Sequence, residues 1–271
     1  MNIDEIRLKW GVNNIDKKAN INLWNEKANY FGNYTIPTFE EDNFLKILKD
    51  ENLLNKEYKV LDVGCGGGKY SLALSKECKE VYGTDLSPKM IEFANKNKEK
   101  FNMKNVTFSC DNWHEIDLKK NNFYKNFDLV FACMTPAINS AFNFEKLMNA
   151  SKKYCVLRCN LKRRDIIYDK IREELDIKKK ENLDFLYAFN LIYLNGYIPR
   201  VFYEEKQWTY KEPLEKAYDI YINKIKSIKK INKNEEEKIK EILNNLSENK
   251  YVEEQINSTV ATIVWKVEEV K

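Results

Sequence analysis

The sequence is short of several things, and each shortage excludes something. It contains a single histidine, His114, in 271 residues. Its six cysteines include no Cys-x-x-Cys pair, so neither a zinc ribbon nor a disulfide framework is expected. No apolar run approaches the ~18 residues of a membrane span. The richest, LVFACM at 129–134, has the length of a strand. The opening MNIDEIRLKWG lacks the basic flank and apolar stretch of a secretory signal, which makes the cytoplasm the expected compartment. Charge of one sign is missing too. There are 46 basic and 42 acidic residues, a net +4, too even a balance to argue for nucleic acid. Neither an internal repeat nor a low-complexity linker is visible. Glycine is scarce, yet four of the eight glycines fall between 64 and 68.

That concentration is the main clue. The stretch YKVLDVGCGGGKYSLAL, 58–74, is an apolar run, then an acid, then glycines, then a helical pattern. Glycines at 64, 66 and 68 allow a tight turn and leave no Cβ between backbone and ligand. A strand before the turn and a helix after it are the context of a nucleotide-binding turn. Further strands are predicted at 81–84, 106–110, 127–133 and 154–159, apolar on both faces as in a parallel sheet covered by helices. Ser87-Pro88 suits the N-cap and first position of a helix. Asp85 ends the second strand, 21 residues after Gly64, where an acid can accept from ribose hydroxyls. Asp111-Asn112-Trp113 ends the third. Beyond 160 the pattern changes to a helix over 182–194 stopped by Gly196, a strand over 199–210, a helix opened by Pro213, a helix opened by Asn234 with Glu237, and a strand over 258–267.

VLDVGCGGGKYSLAL, VYGTDLSPKMIEFAN, VTFSCDNWHEID and FDLVFACMTPAI, in that order and spacing, resemble the successive motifs of class I S-adenosylmethionine-dependent methyltransferases. The resemblance covers about residues 20–160. A dinucleotide fold would prefer Gly-x-Gly-x-x-Gly with no acid inside the strand, whereas here Asp62 precedes the glycines. The resemblance implies an α/β fold with a doubly wound, mostly parallel, seven-stranded sheet. It implies a helical lid over 1–50, a Rossmann-like domain over 51–271, and a helical insertion at about 212–250 before the last strand.

It also implies roles. Asp62 would lie near the cofactor amino group, and the backbone of Gly64, Cys65 and Gly66, with Gly68, would face the methionine portion. Asp85 would hold the ribose, Leu86 and Met90 would flank the adenine, and Asp111 would accept from its amino group beside Asn112 and Trp113. Cys133 and Met134 would end the fourth strand next to the sulfonium. Trp24, Tyr30 and Tyr34 resemble the lid, or else pack as core aromatics. Trp24, Tyr34, Asn139, Tyr187 and Trp208 are the acceptor-side candidates, and the insertion and lid would build the acceptor pocket. Catalysis would be mainly alignment along the S–CH₃ axis, with a base needed only where the nucleophile carries a proton that must leave early, so no catalytic residue is assigned. His114 reads as a polar loop residue.

The expected partner is a small-molecule methyl acceptor, in a monomer or homodimer, with no membrane and no metal. Three alternatives remain. Cys65, Cys110, Cys133 and Cys159 all fall at predicted strand ends, where thiolates could capture a metalloid. An RNA or DNA base methyltransferase is the second, although amino-methylating enzymes of that class usually carry Asn/Asp-Pro-Pro-Tyr where this chain has CMTPAINS. A cofactor-binding protein without catalysis is the third.

Overall fold

The computed structural model describes residues 1–11, 17–178, 183–226 and 228–268. In chain order the elements are α1 (Ile3–Lys9), α2 (Lys17–Gly32), α3 (Asn43–Asp50), β1 (Lys59–Val63), α4 (Lys69–Leu74), β2 (Glu80–Asp85), α5 (Pro88–Lys100), β3 (Val106–Cys110), β4 (Phe127–Cys133), α6 (Ala141–Ala150), β5 (Ser151–Asp165), α7 (Ile166–Glu174), α8 (Asp184–Leu194), β6 (Arg200–Pro213), α9 (Leu214–Lys226), α10 (Lys233–Leu246) and β7 (Tyr251–Lys266). The seven strands form one sheet in the order β3-β2-β1-β4-β5-β7-β6. β1 lies between β2 and β4, and these strands with β3 and β5 are parallel. β7 runs the other way. Its Thr262 Oγ1 accepts from Arg158 of β5, and five residues on Val267 N donates back to Lys153 O.

The residues cluster into two compact units, one of 1–159, 183–202 and 261–271, the other of 160–182 and 203–260. In the first, strand side chains alternate between two apolar layers, as the two-residue period requires. Leu61, Val63, Val130, Ala132, Leu157, Ile263 and Trp265 face one layer, closed by α1, α6 and α8. Val60, Leu129, Phe131, Val156 and Val264 face the other, closed by α3 and α4. Burial on both faces is why these strands read as unbroken apolar runs. Ser87 caps α5 through Met90 N, with Pro88 at its start. α1 and α3 depart from the expected 1–50 lid, because Ile6, Trp10, Phe44, Leu45 and Leu48 are core residues.

In the second unit α7, α9 and α10 share an apolar cluster of Ile167, Ile171, Ala217, Tyr221, Ile225, Ile239 and Leu243. The helix of α10 starts two residues before the expected point, where Asn232 and Glu235 form a reciprocal cap. Asp165 gives α7 no side-chain cap. Glu254 of β7 does so instead, accepting from Ile167 N at 2.7 Å, Tyr168 N at 3.2 Å and the Tyr221 hydroxyl at 2.6 Å. This unit is wider than the expected 212–250 insertion. β5 runs to Asp165 rather than 159, so Cys159 is not at a strand end, and β7 begins at Tyr251 rather than 258. The expected helix start at Asn182 lies outside the described residues.

Candidate cofactor and acceptor site

The carboxyl ends of β1, β2, β3 and β4, with α2, enclose a cavity of about 390 Å³ in the first unit. The glycine turn forms its floor. Gly64 N and Cys65 N both donate to Thr84 O, at 2.8 and 3.0 Å, which ties the turn to the end of β2. Gly64, Gly66 and Gly68 have φ of +75°, +54° and +85°, the left-handed region that glycine enters without cost. Their surroundings differ. A Cβ on Gly64 would meet Thr135 Oγ1 at 2.0 Å, whereas one on Gly66 would find only Met90 Sδ, at 3.9 Å. The first glycine is required by packing, and the second leaves open space against the cavity.

Asp85 is bound to the same turn. Its Oδ2 accepts from Gly66 N at 3.0 Å and its Oδ1 from Ser87 N at 2.9 Å. Burial pushes its carboxyl up, and those amides oppose the shift. Thr84 Oγ1, buried in the cavity wall, has no hydrogen-bond partner. Asp111, one strand over and exposed, donates its amide to Asp85 O at 2.9 Å. Trp113 points inward, and its Nε1 donates to Asn143 O at 3.1 Å. Cys133, Met134 and Asn139 line the side beyond β4.

α2 closes the cavity with Trp24 and Phe31 and is fastened at both ends of α5. Asn25 Oδ1 accepts from Ser87 Oγ at 2.7 Å, and Asn97 Nδ2 donates to Gly32 O at 2.8 Å. The two lining lysines are engaged. Lys17 meets both oxygens of Glu115 at 2.8 Å, and Lys69 lies 3.6 Å from Asp42.

Of the residues expected from sequence, Gly64, Cys65, Gly66, Asp85, Leu86, Met90, Asp111, Asn112, Trp113, Cys133, Met134, Trp24 and Asn139 line the cavity. The others lie elsewhere. Asp62 is beneath it, 2% exposed and accepting from Ser71 Oγ at 2.6 Å, with desolvation pushing its carboxyl up to about 7. At Gly68 a Cβ would strike Phe108, so that glycine serves packing. Tyr34 sits behind the turn and donates to Gly67 O at 2.6 Å. Tyr30 is exposed and edges Phe31. Tyr187 packs on Trp10. Trp208 belongs to the second unit, under the Arg163 guanidinium, and is not among the described residues that line the cavity. Tyr70, Thr84 and Thr135 also line the cavity; they lie inside the resembling motifs but were given no role from sequence, and His114, expected only as a polar loop residue, lines it too.

Cys65, Cys133 and Cys159 suit packing better than metalloid capture, while Cys110 is exposed. Burial raises the Cys65 thiol well above its ordinary value and pushes Cys133 and Cys159 up to about 12, so these are thiols near neutral pH. Among the described residues no cluster of three His, Cys, Asp or Glu side chains is placed to hold a metal, and no helix is long and apolar enough to cross a membrane.

Two carboxylates and an unpartnered hydroxyl at neighbouring strand ends suit a ligand bearing hydroxyls and an amine. The open space at Gly66 suits one lying against backbone. These residues fit S-adenosylmethionine. Comparison with known proteins agrees. A family model described as "Methyltransferase domain" matches residues 54–257. The chain belongs to the class I S-adenosylmethionine-dependent methyltransferases, with S-adenosylmethionine as cofactor. Over 52 residues it is 46% identical to a probable cobalt-precorrin-6B C(15)-methyltransferase (decarboxylating) of Methanocaldococcus jannaschii, 19% of this chain and 28% of that one. Over 108 residues it is 33% identical to an uncharacterized RNA methyltransferase of Oceanobacillus iheyensis, 38% of this chain and 22% of that one. The chain therefore spans only about a quarter of either relative. Its fold is similar to that of the YcgJ protein of Bacillus subtilis, with TM-score 0.50 and 16% identity over 83% of this chain and 97% of that one. A Haemonchus contortus phosphoethanolamine N-methyltransferase 2, in complex with phosphomonomethylethanolamine and S-adenosylhomocysteine, gives 0.50 and 19% over 92% and 58%.

Proposed function

We propose that the chain methylates a small-molecule acceptor by direct in-line displacement. The observation that carries this is the wall of the cavity on its α2 and β4 side. Trp24, Phe31, Tyr70 and Met134 make it apolar and aromatic, and Lys17 and Lys69 are already held by carboxylates. Such a wall suits a compact acceptor with flat or apolar parts better than a polyphosphate chain, which binds through available cations.

S-adenosylmethionine supplies an activated methyl group on a sulfonium. The residues of this chain bind, orient and exclude water. Gly64 to Gly66 would face the methionine portion, Asp85 the ribose and Asp111 the adenine amino group, with Leu86 and Met90 beside the ring. Asp62, one layer below, would act through Ser71 or water rather than directly. Tyr70 is a poor base, since burial raises its hydroxyl, which donates to Asp42 Oδ2 at 3.2 Å.

The RNA reading is favoured only by the names of curated relatives. Labelled S-adenosylmethionine should transfer methyl groups to a small-molecule cell fraction and not to total RNA. Label in RNA alone would reverse the order of the two readings, and label in neither, with cofactor bound, would favour a cofactor-binding protein.

A further inference from the structure

The loop that follows β3 has no regular structure of its own, yet it presents Asp111, Asn112 and His114 to the cavity. Such a loop is floppy unless something ties it. Three of its carbonyls, those of Trp113, His114 and Ile116, converge on one point. Oxygens gathered that closely repel one another unless a cation sits among them.

Lys146 of α6 is that cation. Its Nζ donates to Trp113 O at 2.9 Å, His114 O at 2.8 Å and Ile116 O at 2.9 Å. The ammonium has three protons and all three are committed, so it cannot bind a ligand itself. Its residue is 8% exposed. The Phe142 ring lies 4.6 Å from Nζ and the Trp113 ring 5.8 Å. Burial pushes its pKa down to about 8, opposed by Asp117. One turn earlier on the same face of α6, Asn143 takes the Trp113 indole N–H on its carbonyl and meets His114 Nδ1 at 3.3 Å. Helix α6 thus holds the loop through two contacts of Asn143 and three charged hydrogen bonds of Lys146. Charge-assisted bonds are the stronger kind.

We propose that Lys146 is a positioning residue for the cofactor, fixing the 111–116 loop in the shape that meets the adenosine end. This rests on the reading that Asp111 and its neighbours face the adenine. Lys146→Met keeps the length and apolar stem and deletes the three donors. Its dissociation constants for S-adenosylhomocysteine and for adenosine should both rise, by the same factor of roughly 10 to 100, corresponding to the loss of charged hydrogen bonds in the free loop. The KM for S-adenosylmethionine should rise with kcat nearly unchanged. Lys146→Gln, with two donors, should fall between, and serves alone if the methionine variant does not fold. Amide exchange at 111–116 should quicken in both. Unchanged affinity for both ligands, whatever the melting temperature, would overturn the inference, as would a loss for S-adenosylhomocysteine without one for adenosine. The wild-type titration is the separate control: absence of S-adenosylhomocysteine binding there would contradict the reading of the cavity instead.

Discussion

At the scale of single residues, the two glycines of the turn separate folding from binding. Gly64 packs its missing Cβ against Thr135, while Gly66 faces open cavity. Gly64→Ala should therefore lower the melting temperature sharply, since its Cβ would stand 2.0 Å from Thr135 Oγ1 and its backbone would keep a φ of +75°. Gly66→Val should keep a native circular dichroism spectrum and lose S-adenosylhomocysteine binding. Normal binding by Gly66→Val would show that the ligand does not lie against this turn. Asp62 gives a prediction in pH. Its carboxyl titrates at about 7 when folded and near 4 when unfolded. The folded state thus holds the extra proton between those values, and this group's contribution is full below about 4 and lost as pH rises towards 7. Asn keeps an acceptor for Ser71 and removes the titration. The stability of Asp62→Asn relative to wild type should climb with pH across that window, by at most about 1.4 kcal/mol per pH unit. Denaturant melts at several pH values measure it, and a flat difference would refute it.

At the scale of elements, Glu254 shows a cap supplied from far away in sequence. Removing its carboxylate strands two backbone N–H groups of α7 and the Tyr221 hydroxyl. Glu254→Ala should cost about 2–4 kcal/mol in urea unfolding, because buried donors left without partners carry their full desolvation penalty. A change below about 0.5 kcal/mol would mean that water replaces the carboxylate.

The element scale is also where legibility ends. β1 and β4 could be read because burial on both faces makes them nearly continuous apolar runs. β5 continues through NLKRRD, where no apolar run marks a strand. Its extension is set by contacts with β7, as where Ser258 Oγ lies 2.7 Å from Asn160 Oδ1 and 2.9 Å from Lys162 O, with one proton to donate between them. The cofactor side of the cavity was legible because its residues sit in contiguous motifs at strand ends. The acceptor side was not. Tyr187 and Trp208 looked available, but Tyr187 is taken up by Trp10 and Trp208 by Arg163. Tyr70 lines the cavity because the α4 helix turns it there, and no local pattern announces that.

At the scale of the whole molecule, the chain divides into a sheet-centred unit, to which the described lining residues of the cavity belong, and a second unit with its own apolar cluster. The central claim is that the cavity is an S-adenosylmethionine site. Calorimetric titration with S-adenosylhomocysteine and NAD side by side, on wild type and Asp85→Ala, tests it most directly. The account predicts micromolar binding of S-adenosylhomocysteine, none of NAD, and a loss of about 1.5–3 kcal/mol in the variant, which lacks both the ribose acceptor and the anchor of Gly66 N. Tight binding of NAD with none of S-adenosylhomocysteine would contradict it.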